Sequence, residues 1–194
     1  VTISLTGLSA DDNYVLDMDG KVADITGSPF TNPDLLNPGT HSMVIYNRAE
    51  GFTFDGRMAR VNAPDGKSRA DGASVIPLPG YLKTISQEIT VTADDTLRVN
   101  PVPQQRVRDL QLELEVTQGR PELIQSVTAT LSGIAGIFDM EKGQTIGEPT
   151  STVFSFIRDG SKLTADARLL GTMGAVQTLV LDIVFTDGGR TQRT

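Results

Sequence analysis

Hydrophobic residues recur at every second position over much of the chain, the pattern of strands that bury one face and wet the other. The clearest run is Leu110, Leu112, Leu114 and Val116, with Gln111, Glu113 and Glu115 between them. Val127, Ala129 and Leu131 alternate with Thr128, Thr130 and Ser132. Leu163, Ala165, Ala167 and Leu169 alternate with Thr164, Asp166 and Arg168, and Leu179, Leu181, Ile183 and Phe185 share one face. Shorter versions in the first half predict further strands: Val1, Ile3 and Leu5; Tyr14, Leu16 and Met18; Met43 and Ile45; Ile89 and Val91; Leu97 and Val99. Asp19-Gly20, Asp65-Gly66, Asp159-Gly160 and Asp187-Gly188 mostly lie between such runs, and Asp-Gly tolerates the positive φ of tight hairpin turns.

Helical signals are confined to Pro33-Asp34-Leu35-Leu36 and Pro121-Glu122-Leu123-Ile124, each with proline at a plausible first helical position. Neither extends beyond about two turns, so both are read as crossover turns. Strands never alternate with long amphipathic helices, which removes parallel α/β folds and most nucleotide-binding enzymes with them. The expectation is an all-β protein whose second half is an antiparallel meander or sandwich. Asn100-Pro101-Val102-Pro103-Gln104-Gln105 marks the best boundary, because two prolines interrupt the strand pattern and remove ladder donors. It divides the chain into 1–102 and 103–194, each the size of one β-sandwich. Pro77-Leu78-Pro79-Gly80 is read as the start of a strand within the first half.

Composition narrows the chemistry. In 194 residues, 17 Lys+Arg face 24 Asp+Glu, a net charge of −7. Arg57, Arg60, Lys67 and Arg69 are interspersed with Asp55, Asp65 and Asp71, so no basic patch is set against a phosphate backbone and no nucleic-acid partner is expected. Cysteine is absent and histidine occurs once, at His41, which excludes thiolate nucleophiles, disulfides and multi-histidine metal sites. No apolar run approaches the roughly 20 residues of a membrane-spanning helix. The chain opens at Val1 with neither initiator Met nor a signal-like segment and is read as a mature or trimmed form.

Five groups of residues invite a functional reading. Asp17-Met18-Asp19-Gly20 has the look of a calcium loop, but with Gly20 at the glycine position, loop positions one and twelve fall on Val15 and Thr26, which carry no carboxylate. A hairpin turn accounts for it. Asp11-Asp12 and Asp94-Asp95 are read as solvated loop charges. His41 has no Gly-x-Ser-x-Gly elbow to supply a nucleophile and is read as a surface or strand-edge residue. Gly133-Ile134-Ala135-Gly136 lacks the Lys-Ser/Thr of a phosphate cradle and is read as a strand bend or bulge. Tyr46, Phe52, Phe54 and Tyr81 form either a sugar-stacking platform or, by the weight of aromatic packing in small sandwiches, part of the core. No catalytic, cofactor-binding or metal-binding residue is nominated, and no cofactor is expected.

Two stretches carry a family resemblance. Leu36-Asn37-Pro38-Gly39-Thr40-His41-Ser42-Met43-Val44-Ile45-Tyr46-Asn47 resembles a Pro-Gly-Thr segment followed by a strand ending in Tyr-Asn in fimbrillin-like proteins of Bacteroidetes. Val127 to Gly136, followed by Thr152 to Phe156 and Ala167 to Gly171 and taken with the strand Arg106 to Val116, resembles the second domain of the fimbrillin-A-associated anchor and minor-subunit family. The resemblance implies two tandem transthyretin-like β-sandwich domains, export by a lipoprotein signal, and a place at the outer membrane as an anchor, minor or tip component of a fimbria. It implies other fimbrial subunits and a surface receptor as partners; strand addition is a physical route to such assembly, because a sandwich lacking an edge strand offers unpaired N–H and C=O groups that a partner strand satisfies. The acylated cysteine of such lipoproteins is not in this chain, and a further strand is expected after Thr194. Leu110 to Val116 and Leu179 to Phe185 are the candidate accepting strands, with a central place in the sheet as the equal alternative for each. The competing reading is a carbohydrate-binding surface module with an exposed aromatic groove. A third is a hydrolase, which would need clustered acids in a cleft.

Overall fold

The alternating runs form strands, and the turns between them follow from local chemistry. The computed structural model describes residues 2–5, 13–65, 74–93 and 96–194; Asp11-Asp12 and Asp94-Asp95 lie outside them. In chain order the strands are β1 (Thr2–Leu5), β2 (Tyr14–Met18), β3 (Lys21–Asp24), β4 (Phe30–Thr31), β5 (Gly39–Asn47), β6 (Phe52–Asp55), β7 (Met58–Val61), β8 (Lys83–Val91), β9 (Thr96–Val99) and β10 (Gln104–Gln105). The second half adds β11 (Arg108–Glu115), β12 (Ile124–Ile134), β13 (Ile137–Asp139), β14 (Gln144–Ile146), β15 (Thr150–Asp159), β16 (Lys162–Leu169), β17 (Thr178–Phe185) and β18 (Arg190–Arg193).

Asp19 and Gly20 both take positive φ, 52° and 84°, making the type I′ turn between β2 and β3. At the β6–β7 turn Gly56 takes a φ of 54°. Alternation alone passed over that hairpin, although Asp55-Gly56 is itself a turn signal, because its strands are only four residues long. Pro121–Leu123 forms a single 3-10 turn, whereas Pro33 to Leu36 is not helical. Gly133 creates a bulge in β12: the register to β15 shifts between Ser132 and Ile134. Gly133 has a φ of 76°, and a Cβ there would lie 2.6 Å from the Val176 carbonyl oxygen.

Four sheets result, in the orders β4-β1-β9, β10-β8-β5-β2-β3, β14-β13-β7-β6 and β11-β16-β15-β12-β17-β18. Named strands pair antiparallel except β1 with β9. The fold is an all-β sandwich architecture with two cores. The smaller gathers Tyr14, Leu16, Met18, Met43, Ile45, Ile89 and Val91, with Leu97 and Val99 against it. The larger runs from Val15, Val44 and Tyr46 through Phe52, Ala59 and Val61 to Val127, Phe138, Phe154 and Leu163.

That larger core draws on both sides of the 102/103 boundary. Hairpin β6–β7 and hairpin β13–β14 share one sheet, with Phe138 opposite Ala59. Strands β15 and β16 pair only from Ile157 to Asp159, near their turn. Beyond it, Val75 donates its N–H to the Ser151 carbonyl, Thr152 Oγ1 donates to the Val75 carbonyl, and the Arg168 N–H bonds the Pro77 carbonyl. The segment around Val75 thus fills the space where the sheet splays.

A polar clasp joins the sheets where this apolar face ends. Asp17, at 2 % exposure, accepts a hydrogen bond from Arg57 Nη2 at 2.8 Å, and Arg57 Nη1 reaches Ser42 Oγ and Glu141 Oε1, each at 2.6 Å. The Asp17 contact and the nearby acids hold the guanidinium above its ordinary pKa against the opposing effect of burial. Beside it His41 places Nδ1 2.5 Å from Asp19 Oδ2 and Nε2 2.8 Å from the Asn37 carbonyl. Two acceptors favour the doubly protonated ring, so the His41 pKa is raised, chiefly by Asp19, and that of Asp19 is lowered, chiefly by His41.

We propose 1–102 and 103–194 as two sandwich units that interlock through β6–β7 and the Val75 segment. Residues 103–194 produced alone are expected to aggregate, and co-production with 1–102 to restore a soluble complex on size-exclusion chromatography; a soluble, cooperatively melting 103–194 would show the units to be independent. Arg57→Met leaves Asp17 buried without its cation and should cost about 3 kcal/mol, or about 6–12 °C in Tm for a chain of this size. Adding Asp17→Val should recover much of that loss. His41 stabilises the fold fully below its unfolded pKa of about 6.5 and loses that contribution as pH rises through the higher folded value; Asp19 contributes above about pH 3.9 and fails below it. Tm should therefore fall as pH is raised past about 6.5, and His41→Gln should flatten that limb in thermal melts across pH.

Candidate interaction edge and the adjoining cleft

Strand β11 forms one end of the six-stranded sheet and pairs on one side only, with β16 from Arg108↔Leu169 to Glu115↔Lys162. Its other side has no strand partner among the described residues, so the N–H and C=O groups of alternate residues are left unpaired by any strand there. Leu110, Leu112 and Leu114 point toward the larger core yet are only half-buried, whereas Ala165 and Ala167 on β16 are fully buried. Alternation explains the direction of these leucines, and edge position explains their incomplete burial. The wet face carries Asp109, Gln111, Glu113 and Glu115. Glu113 receives Lys162 Nζ at 2.9 Å; Asp109 accepts from Tyr81 Oη at 2.8 Å and from Arg168 Nε at 3.2 Å. The Asp109 contact raises the Tyr81 pKa, and the Arg168 guanidinium lies 4.3 Å from the centre of the tyrosine ring. The other sequence candidate, Leu179 to Phe185, is not an edge: β17 lies between β12 and β18 and is paired on both sides. The strand that follows it, β18, pairs only with β17 and is the short second edge of this sheet.

At the Arg108 end of β11 a cleft of about 610 Å³ opens toward hairpin β13–β14, with Arg106, Leu110, Phe138, Gln144 and Leu169 among its lining. The Arg106 guanidinium stacks 5.3 Å from the centre of the Phe138 ring. Its hydrogen bonds go to neutral oxygens: Nε to Thr84 Oγ1 at 2.8 Å, Nη2 to the Thr84 carbonyl and Nη1 to Gln104 Oε1, each at 3.3 Å. Partial burial pulls the Arg106 pKa down. In the sequence this residue opens the alternating strand Arg106 to Val116. Nothing local distinguishes it from an ordinary surface arginine.

The other sequence candidates lie elsewhere. Tyr46 and Phe52 are buried in the larger core, where Tyr46 stacks on Phe54 with ring centres 4.9 Å apart. Tyr81 packs against that core and bonds Asp109. These four rings do not form an exposed platform. His41 lies near the surface on β5, an internal strand and not an edge, with both ring nitrogens hydrogen-bonded beside the clasp. Asp17 Oδ1 accepts the Gly20 N–H at 2.9 Å, as a turn-capping carboxylate does. Among the described residues no group of three or more acidic or histidine side chains is arranged to hold a metal ion, and no helix is long and apolar enough to cross a membrane.

No protein-family model matches the sequence, and no characterised protein matches it at the sequence level. Solved structures do match in fold. An adhesin candidate from Bacteroides ovatus superposes with a TM-score of 0.75 at 16 % identity, over 99 % of this chain and 80 % of its own. The fimbrial anchor protein Mfa2 from Porphyromonas gingivalis gives 0.60 at 10 % identity, over 98 % of this chain and 81 % of its own. A candidate polysaccharide-binding protein from Bacteroides thetaiotaomicron gives 0.57 at 10 % identity, over 97 % and 78 %. This chain has the fold that adhesin candidates and a fimbrial anchor of Bacteroidetes adopt.

Proposed function

We propose that this protein is a non-enzymatic cell-surface component of a fimbria, an anchor, minor or tip subunit, that joins a partner subunit by accepting an extended segment along β11. The observation that carries this reading is the open β11 edge, with three leucines half-covered beside unpaired backbone groups. An added strand would satisfy those groups, and its inward side chains would complete the cover of Leu110, Leu112 and Leu114. Fully covering each leucine contributes a fraction of the roughly 1.5–3 kcal/mol of a complete burial. Three such increments and a row of backbone hydrogen bonds together supply a specific contact. The shared fold with a fimbrial anchor and an adhesin candidate supports the surface assignment. Export as a lipoprotein tethered at the outer membrane, and a receptor on a host or bacterial surface, belong to the same proposal and rest on the family resemblance of the sequence.

The carbohydrate-binding alternative draws on the B. thetaiotaomicron neighbour. The burial of Tyr46 and Phe52 counts against an aromatic sugar platform at those positions. An enzymatic reading gains nothing from the geometry, since the buried acids Asp17 and Asp139 are engaged by Arg57 and Lys142.

The absence of native cysteine makes the test direct. Single cysteines at Gln111 and Glu113 on the edge, and at Thr130 in the middle of the sheet, can carry a photoactivated crosslinker in the presence of isolated fimbrial subunits. Crosslinks are expected from 111 and 113 and not from 130. Equal or stronger crosslinking from 130 would place the contact on the sheet face and refute strand addition at β11.

A further inference from the structure

The cleft beside β11 is electrostatically incomplete. Arg106 is partly enclosed, its ring-stacked guanidinium bonded only to neutral oxygens, and three of its five N–H donors are used by Thr84 and Gln104. Arg108 lines the same cleft, is exposed, and has no acidic partner among the described residues. The one carboxylate in the lining, Asp109, is already occupied by Tyr81 and Arg168. A chain with a net charge of −7 thus concentrates two uncompensated cations at one end of its open edge. A partly desolvated guanidinium with free donors gains most from a planar carboxylate, which accepts two parallel hydrogen bonds.

Every pairing in the six-stranded sheet is antiparallel. A strand that continues this pattern on β11 runs toward Arg108 with its C-terminal end. We infer that the cleft receives a carboxylate at the C-terminal end of the incoming partner strand, with Arg106 and Arg108 as its counter-ions. This inference rests on the strand-addition reading and adds a chemical requirement to it. The partner segment alternates apolar residues that cover Leu110, Leu112 and Leu114, then ends in an acid that fixes its register. Without that acid, a strand sliding along β11 by two residues would keep the same faces in and out.

Two probes separate the inference from the reading beneath it. The first is a pair of labelled ten-residue peptides of alternating valine and threonine, C-terminally amidated and ending in glutamate or glutamine, titrated against the full chain by fluorescence anisotropy. The glutamate peptide should bind about tenfold more tightly, a difference of about 1.4 kcal/mol. Arg106→Gln should reduce the difference and Arg106→Gln with Arg108→Gln should abolish it, whereas Arg106→Lys should restore part of what Arg106→Gln loses. Gln111→Pro, which disrupts the edge, should weaken both peptides alike. Equal binding of the two peptides by the parent chain would overturn the carboxylate inference and leave strand addition standing. Binding insensitive to Gln111→Pro, or no binding of either peptide, would count against strand addition. The second probe needs no strand. Glutarate should shift the Arg106 Nε–H resonance saturably in NMR spectra, and glutaramide should not; an unmoved resonance with glutarate would overturn the carboxylate site on its own.

Discussion

Strand β2 is buried on both faces, and much of the molecule is organised around that fact. All five of its residues are inaccessible: Tyr14, Leu16 and Met18 face the smaller core, and Val15 and Asp17 face the other way. A strand wet on one face would present Asp17 to solvent. Here the second face is covered, so the carboxylate needs a cation within the protein, and Arg57 supplies it. Arg57 sits at the β6–β7 turn, so the ion pair fixes that hairpin over the central sheet. The hairpin in turn gives β13 a neighbour. One buried acid therefore helps set how the two halves of the chain meet.

The same geometry accounts for the asymmetry between the protected and open parts of the structure. Strand β17, the most apolar run in the second half, is shielded by β12 on one side and β18 on the other. Strand β11 is left as an edge, but its wet face carries Asp109, Gln111, Glu113 and Glu115, with Lys162 and Arg168 engaging two of the acids across the pair. Charges on an edge strand discourage indiscriminate pairing while leaving the backbone available to a partner of suitable pattern. Such an edge resists indiscriminate pairing and still has room for one added strand.

The polar clasp and the cleft at the end of β11 show arginine in opposite settings. Arg57 is charge-paired, with Asp17, Glu141 and Ser42 around it, and it behaves as a structural tie. Arg106 stacks on Phe138 and touches only neutral acceptors. Identical side chains thus serve cohesion in one place and offer a binding group in another, according to which acids the fold brings near.

The strand content was legible because alternation is local: a residue and its second neighbour share a face whatever lies opposite. The first-half pattern named Tyr14, Leu16, Met18, Met43, Ile45, Ile89 and Val91, and those residues form the smaller core. The second-half pattern likewise named the inward residues of β11, β12, β16 and β17, and the glycine at the β12 bulge was visible as a break in it. The opposite face of β2 and β5 was not legible, since Asp17 between Val15 and the turn reads as a wet position until another sheet covers it. His41 and Arg106 were equally opaque, because their partners Asp19, Thr84 and Phe138 lie 22 or more residues away in the chain. By itself the sequence determined which residues alternate, where the chain turns and which chemistries its composition excludes. Only the tertiary structure decided which strands are edges, which second faces are buried and which cations lack an acid, because each depends on residues brought together across long stretches of chain.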